Sequence, residues 1–223
     1  MNTIRICTVV RGNTPGEFLE RLERAERVSD MVELSIDSIK NFSVNDIARI
    51  RAKTTKESIF TCRKREEGGF FEGSEPARAA ILEQADKEGF DYLDVEFSSY
   101  QSVRGGSGNT KRICSFHDFQ KTPSLEKLEE MVENMKHAKP DIIKIATMVN
   151  SDNDVKNLFS LLLRKPDEEN MIVVGMGEKG KITRILAPLL GGYLTYASFE
   201  DNASAPGQID VRVLKSMTNK LTS

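Results

Sequence analysis

DIIKIATM, residues 141 to 148, is a strand-like apolar run with a lysine in its middle, and its reading decides what this chain is. Period-two alternation puts Ile142, Lys144 and Ala146 on one face of a strand, and no carboxylate close in sequence shares that face. Burying an unpaired ammonium is costly, and desolvation favours the neutral amine, which can attack a carbonyl and form a Schiff base. The alternative is a lysine on an exposed edge strand, or one snorkelling from the strand's end.

Outward from this run, the same beat repeats in both directions. Apolar runs stand at 4–10, 31–36, 58–63, 92–97, 112–117, 141–146, 171–176 and 192–197. Amphipathic stretches that predict helices separate them: PGEFLERLERAERV, VNDIARIRAK, EPARAAILEQADKEG, SLEKLEEMVENMKHA, DNDVKNLFSLLLRK and KITRILAPLL, with GQIDVRVLKSMTNKL after the last run. Ser74 before Glu75-Pro76, and Thr122 or Ser124 around Pro123, read as helix caps. The fourth connection, SSYQSVRGGSGNT, is rich in Gly and Ser and predicts a loop or a vestigial helix. Repeated strand-helix units imply parallel strands with right-handed crossovers, and eight units suit a closed (β/α)8 TIM barrel. A doubly wound open sheet is the other arrangement. No linker divides the chain, so residues 1–223 are expected to form one catalytic domain.

Composition narrows the function. Acidic and basic residues nearly cancel, 34 against 32, which offers nucleic acid or an anionic membrane no electrostatic partner. The opening MNTIRICTVVRG is charged too early for a signal peptide and no run has spanning length, so a cytoplasmic protein is expected. Cys7, Cys62 and Cys114 sit in apolar runs without metal or redox spacing and read as reduced core thiols. His137 reads as a solvated residue near a helix C-terminus. No metal site is expected.

Reactive residues of a barrel collect where strands end. The run ends supply Glu33 and Asp37, Arg63, Glu96, His117 and Lys144. Alternation groups Thr61 with Arg63, Ser115 with His117, and Glu33 with Ser35 and Asp37. Singly, each is as readily a rim or core residue. Together they predict a cationic, carboxylate-gripping pocket around an amine and an imidazole.

These residues resemble a family. FTCRKREEGGFFEG (60–73), ICSFHDF (113–119), DIIKIATM (141–148), GMGEKGKITRI (175–185) and ASAPGQI (203–209) are similar, in order and rough spacing, to the type I 3-dehydroquinate dehydratases of the shikimate pathway. The resemblance implies an eight-stranded barrel that removes water from 3-dehydroquinate through an imine on lysine, without a cofactor, and makes a homodimer the expected assembly. It implies that Lys144 forms the imine, His117 is the general acid/base and Glu67 holds the histidine and favours its charged form. It implies that Glu33, Arg63, Arg184, Ser204 and Gln208 contact the substrate, Arg184 being first choice for its carboxylate and Arg63 pairing instead with an active-site acid or a substrate hydroxyl. Two departures stand out: Ser35 where relatives often carry Arg, and Phe116 where they often carry Asn.

Other readings compete. Gly175, Gly177 and Gly180 spell GxGxxG between a run and a helix, with Glu200 downstream, as in a nicotinamide-dependent oxidoreductase, although too little chain follows to complete a dinucleotide-binding half. A class I aldolase or transaldolase would keep the barrel and lysine without needing an imidazole at His117. A catalytically dead barrel would serve as a binding module.

Overall fold

Eight short parallel strands, buried on both faces, account for the runs of Ile, Val and Leu. The structure is a computed structural model that describes residues 4–104, 109–200 and 205–222. Strands β1 (Ile6–Val10), β2 (Met31–Ser35), β3 (Glu57–Thr61), β4 (Tyr92–Glu96), β5 (Lys111–Asp118), β6 (Ile142–Met148), β7 (Met171–Met176) and β8 (Thr195–Ala197) lie in the order β7-β6-β5-β4-β3-β2-β1-β8. Every named pair is parallel, and β8 pairs with β1. The ends of the sheet meet where Tyr193 N donates to Met171 O at 2.8 Å, leaving a nearly closed barrel rather than an open sheet.

Helices α1 (Pro15–Glu26), α2 (Asn45–Lys53), α3 (Glu75–Lys87), α4 (Leu125–Lys136), α5 (Asp152–Arg164), α6 (Lys181–Leu186) and α7 (Val211–Thr222) ring the barrel. Their starts follow local chemistry. Ser74 caps α3 by accepting from Ala77 N, and Ser151 forms a reciprocal capping box with Asp154 on α5. Thr122 is not a cap: its hydroxyl faces Thr147 and the carbonyl of Met148, tying the end of β5's loop to β6. The weak fourth connection holds a 3₁₀ turn, Phe97–Ser102, in place of a full helix.

Two apolar layers result. The outer one packs the helices on the barrel, with Phe18, Leu34, Phe60, Leu93, Ile145 and Leu158 among its buried members. The inner one fills the barrel from alternate strand positions: Cys7 and Val9, Met31, Ile59, Tyr92, Ile113, Ile142 and Ala146, Ile172 and Val174, Tyr196. The three cysteines are buried free thiols, and exposed His137 sits at the C-cap of α4. Among the described residues no helix is long and apolar enough to cross a membrane.

Candidate active site

The inward period-two face turns polar toward the C-terminal ends of the strands. Continuing it upward from the apolar layer yields Arg11, then Glu33 and Ser35, Thr61 and Arg63, Asp94 and Glu96, Ser115 and His117, and Lys144. Most of these line a cavity at that end, with Glu67, Phe119, Met176, Arg184, Tyr196, Ala205 and Gln208 in its wall.

Lys144 lies at the base of this cavity and is 4% exposed. Its Nζ donates to Asp94 Oδ2 at 2.8 Å and Glu33 Oε2 at 3.3 Å, and it stands 4.3 Å from the centre of the Tyr196 ring. The amine is therefore buried, as the inward face of β6 requires, but ion-paired across the barrel. The expectation of an unpaired amine fails because its carboxylates come from β2 and β4.

Asp94 is the hub of the buried charges. Its other oxygen accepts from Arg63 Nη2 at 2.9 Å and Ser115 Oγ at 2.6 Å. Burial alone would raise its pKa, but the charges of Arg63 and Lys144 outweigh that and hold it far below the usual carboxylate range. Arg63 also lies 3.6 Å from Glu96, whose other oxygen is held by Arg78. Arg63 thus pairs with site acids, and its fork is largely taken up by Asp94 and Ser115.

His117 is two residues farther along β5 than the partner of Lys144, since Ser115 pairs with Lys144 and His117 with Ala146. Two steps are roughly 6.6 Å of strand, a span the lysine stem covers, so the amine and the ring open into one space. Glu67, on the 3₁₀ turn Arg65–Glu67 after β3, places Oε2 3.1 Å from His117 Nδ1 and 3.2 Å from its backbone N. Glu67 is placed to orient the ring. Burial, then the charges of Arg63 and Lys144, push His117 well below its ordinary value despite this neighbour, while burial pushes Glu67 up to about 7.

Arg184 is 1% exposed. Its Nη1 and Nη2 donate long hydrogen bonds to the carbonyls of Tyr196 at 3.4 Å and Pro206 at 3.5 Å, and its Nε has no hydrogen-bond partner. Burial lowers this guanidinium to about 10, the mark of a cation lacking its anion. A carboxylate-bearing ligand would supply it. Gln208 lines the cavity, and Ser204 falls outside the described residues. Thr61 adds a buried hydroxyl without a partner.

The GxGxxG glycines serve packing. A Cβ on Gly180 would lie 2.5 Å from the carbonyl carbon of Gly175, so β7 and the first turn of α6 meet through bare backbone. Gly177 N donates to Pro206 O at 3.0 Å, which seats the loop before α7 where a dinucleotide's phosphates would need room. Among the described residues no cluster of three or more His, Cys, Asp or Glu could hold a metal.

Sequence reasoning missed Asp94, Arg11 and Tyr196. Asp94 was legible in YLDVEF, where it alternates with Tyr92 and Glu96 between the apolar Leu93 and Val95. Arg11 follows the VV of the first run by the same strand-end rule that selected Arg63. The Arg expected at position 35 is replaced by a serine whose hydroxyl is turned to Asp37 Oδ1 at 3.1 Å. Phe116 points away from the cavity and packs on the outer layer, so a change there leaves the imidazole's setting intact.

A parallel α/β barrel with a buried lysine and an imidazole-carboxylate pair at the C-terminal ends of its strands is the architecture of an enzyme. The family model for type I 3-dehydroquinase matches residues 6–222. A 3-dehydroquinate dehydratase of Coxiella burnetii is 45% identical over 215 residues, covering 96% of this chain and 92% of its own length. One from Methanocaldococcus jannaschii is 37% identical over 94% of this chain and 96% of its own. The crystal structure of 3-dehydroquinate dehydratase from Geobacillus kaustophilus superposes with a TM-score of 0.91 at 25% identity, over 99% of this chain and 92% of that one. The chain belongs to the type I 3-dehydroquinase family and is an enzyme of the hydro-lyase class.

Proposed function

We propose that this chain converts 3-dehydroquinate to 3-dehydroshikimate through an imine on Lys144, with His117 as general acid and base. The observation that carries this reading is the buried amine opening, beside an imidazole bonded to Glu67, into a cavity whose Arg184 guanidinium keeps an unpartnered Nε. Arg184 grips the substrate carboxylate, bidentate recognition being what the guanidinium fork offers. The ammonium of Lys144 gives a proton to His117, and the freed amine adds to the ketone. Water leaves, taking that proton back, and a protonated imine remains as electron sink.

His117 then removes a proton from the carbon next to the imine, giving an enamine. The enamine's electrons expel the hydroxyl on the following carbon, and imidazolium protonates it to water. Hydrolysis of the imine releases 3-dehydroshikimate and restores the amine, for a net loss of one water. Asp94 holds the amine between turnovers, and Glu67 keeps the proton-free ring nitrogen toward the substrate. Gln208 and the loop before α7 shield the imine from bulk water, a role in which Ser204 joins them by resemblance. No cofactor enters these steps. The imidazole separates this reading from an aldolase, and the intact lysine and histidine separate it from a dead barrel. The homodimer expected from the resemblance is checked by sedimentation.

Borohydride added with 3-dehydroquinate should fix a covalent adduct, seen by intact mass, on the wild type and not on Lys144→Ala. His117→Ala should still trap slowly while its turnover nearly stops. Normal turnover by Lys144→Ala would end the imine reading.

A further inference from the structure

Arg11 is a second cation on the cavity wall whose bonding is incomplete. It follows Cys7 and Val9 on the inward face of β1 and lines the cavity. Its Nε is buried and has no hydrogen-bond partner, and it forms no ion pair among the described residues. The guanidinium lies over the Phe70 ring, 5.0 Å from its centre. Apart from Arg184, the cations near the site are paired: Arg63 and Lys144 share Asp94, and Arg78 is held by Glu75 and Glu96.

The β1–β2 ladder ends with Val9 on Glu33 and Val10 on Leu34, and Arg11 and Ser35, the residues that follow on the two chains, both line the cavity. The short serine is bonded to Asp37 and leaves the space in front of it open. Glu33 stands one rung down on the same side, with one oxygen on Lys144. A donor fork and a carboxylate therefore face the cavity together from neighbouring strands. That combination suits a hydroxyl, which accepts from one and donates to the other. Arg184, beyond β8, is the separate partner for a carboxylate.

We infer that Arg11 is a substrate-binding and specificity-determining residue, which with Glu33 brackets a hydroxyl on the ring of a polyhydroxylated carboxylate while Arg184 holds the carboxylate. The inference rests on the dehydroquinate reading and assigns to β1 a binding arginine that position 35 does not supply.

The test separates binding from chemistry. In a Lys144→Ala background, which cannot form the imine, the Kd for 3-dehydroquinate is measured by calorimetry with and without Arg11→Met. The methionine keeps an unbranched apolar stem over Phe70. Arg11→Met should weaken Kd at least tenfold, and in the otherwise native enzyme should raise KM similarly while kcat changes less than threefold. Arg11→Lys should fall between. Adding Ser35→Arg to Arg11→Met should recover part of the lost affinity, which a merely structural role for Arg11 would not permit. Equal Kd values with and without Arg11→Met, or a loss matched by collapse of the thermal transition in Arg11→Lys as well, would overturn the assignment. Failure of borohydride trapping in the wild type, with the Kd effect intact, would instead count against the imine.

Discussion

Asp94→Asn tests the charge balance at the base of the cavity. Asp94 is 1% exposed and neutralises two cations, Lys144 at 2.8 Å and Arg63 at 2.9 Å, while accepting from Ser115 at 2.6 Å. Asparagine has nearly the same shape, carries no charge, and turns a donor toward at least one donor. The remaining anions are farther away: Glu33 at 3.3 Å from Lys144, and Glu96 at 3.6 Å from Arg63 and already committed to Arg78. Removing one partner of a buried ion pair costs about 3–5 kcal/mol, because the other charge stays desolvated and uncompensated. For a domain of this size, each kcal/mol moves Tm by roughly 2–4 °C, so the variant should melt about 6–20 °C lower. Urea titration should show a lower midpoint at unchanged slope. Turnover should fall too, because the amine loses the contact that positions it. A melting temperature within about 2 °C of wild type would show that Asp94 is not the counter-ion described, and the account of Lys144 would fall with it.

The His117–Glu67 pair predicts an acid limb in kcat/KM. Ionised Glu67 can only accept, so Nδ1 carries the hydrogen and Nε2 is the base; a proton added to either group of the pair removes that base. With burial holding Glu67 up at about 7 and His117 below its usual value, activity should fall as pH drops through about 7. Glu67→Gln keeps an acceptor but does not titrate, so its limb should move to lower pH; an unmoved limb would show that Glu67 does not share the proton. Gly207→Ala should raise KM and cost more than about 1 kcal/mol in stability, read from initial rates and melts. Its φ is +75°, and a Cβ there would lie 2.2 Å from the carbonyl oxygen of Gly177, so the loop bearing Gln208 would be lifted. Unchanged KM would detach that loop from substrate binding.

The barrel was legible in the chain because its signal is local. Each strand is an apolar run, each helix an amphipathic one, and the beat between them leaves parallel strands little choice of connection. The same period-two rule placed Lys144, His117, Thr61 and Arg63 on the inward face, since parity along a strand survives folding. What that rule cannot supply is who stands across the barrel. Lys144 meets Glu33 from 111 positions away and Asp94 from 50, and His117 meets Glu67 from 50, all through the lateral register that closure of the sheet imposes. Closure turned the lysine from an unpaired amine into an ion pair, lowered His117 in place of raising it, consumed the fork of Arg63, and left those of Arg184 and Arg11 incomplete. Sequence determined which side chains face inward; only the tertiary structure decided their charges and partners, because electrostatic energy depends on distances between strands and on exclusion of water, neither of which is a property of neighbours along the chain.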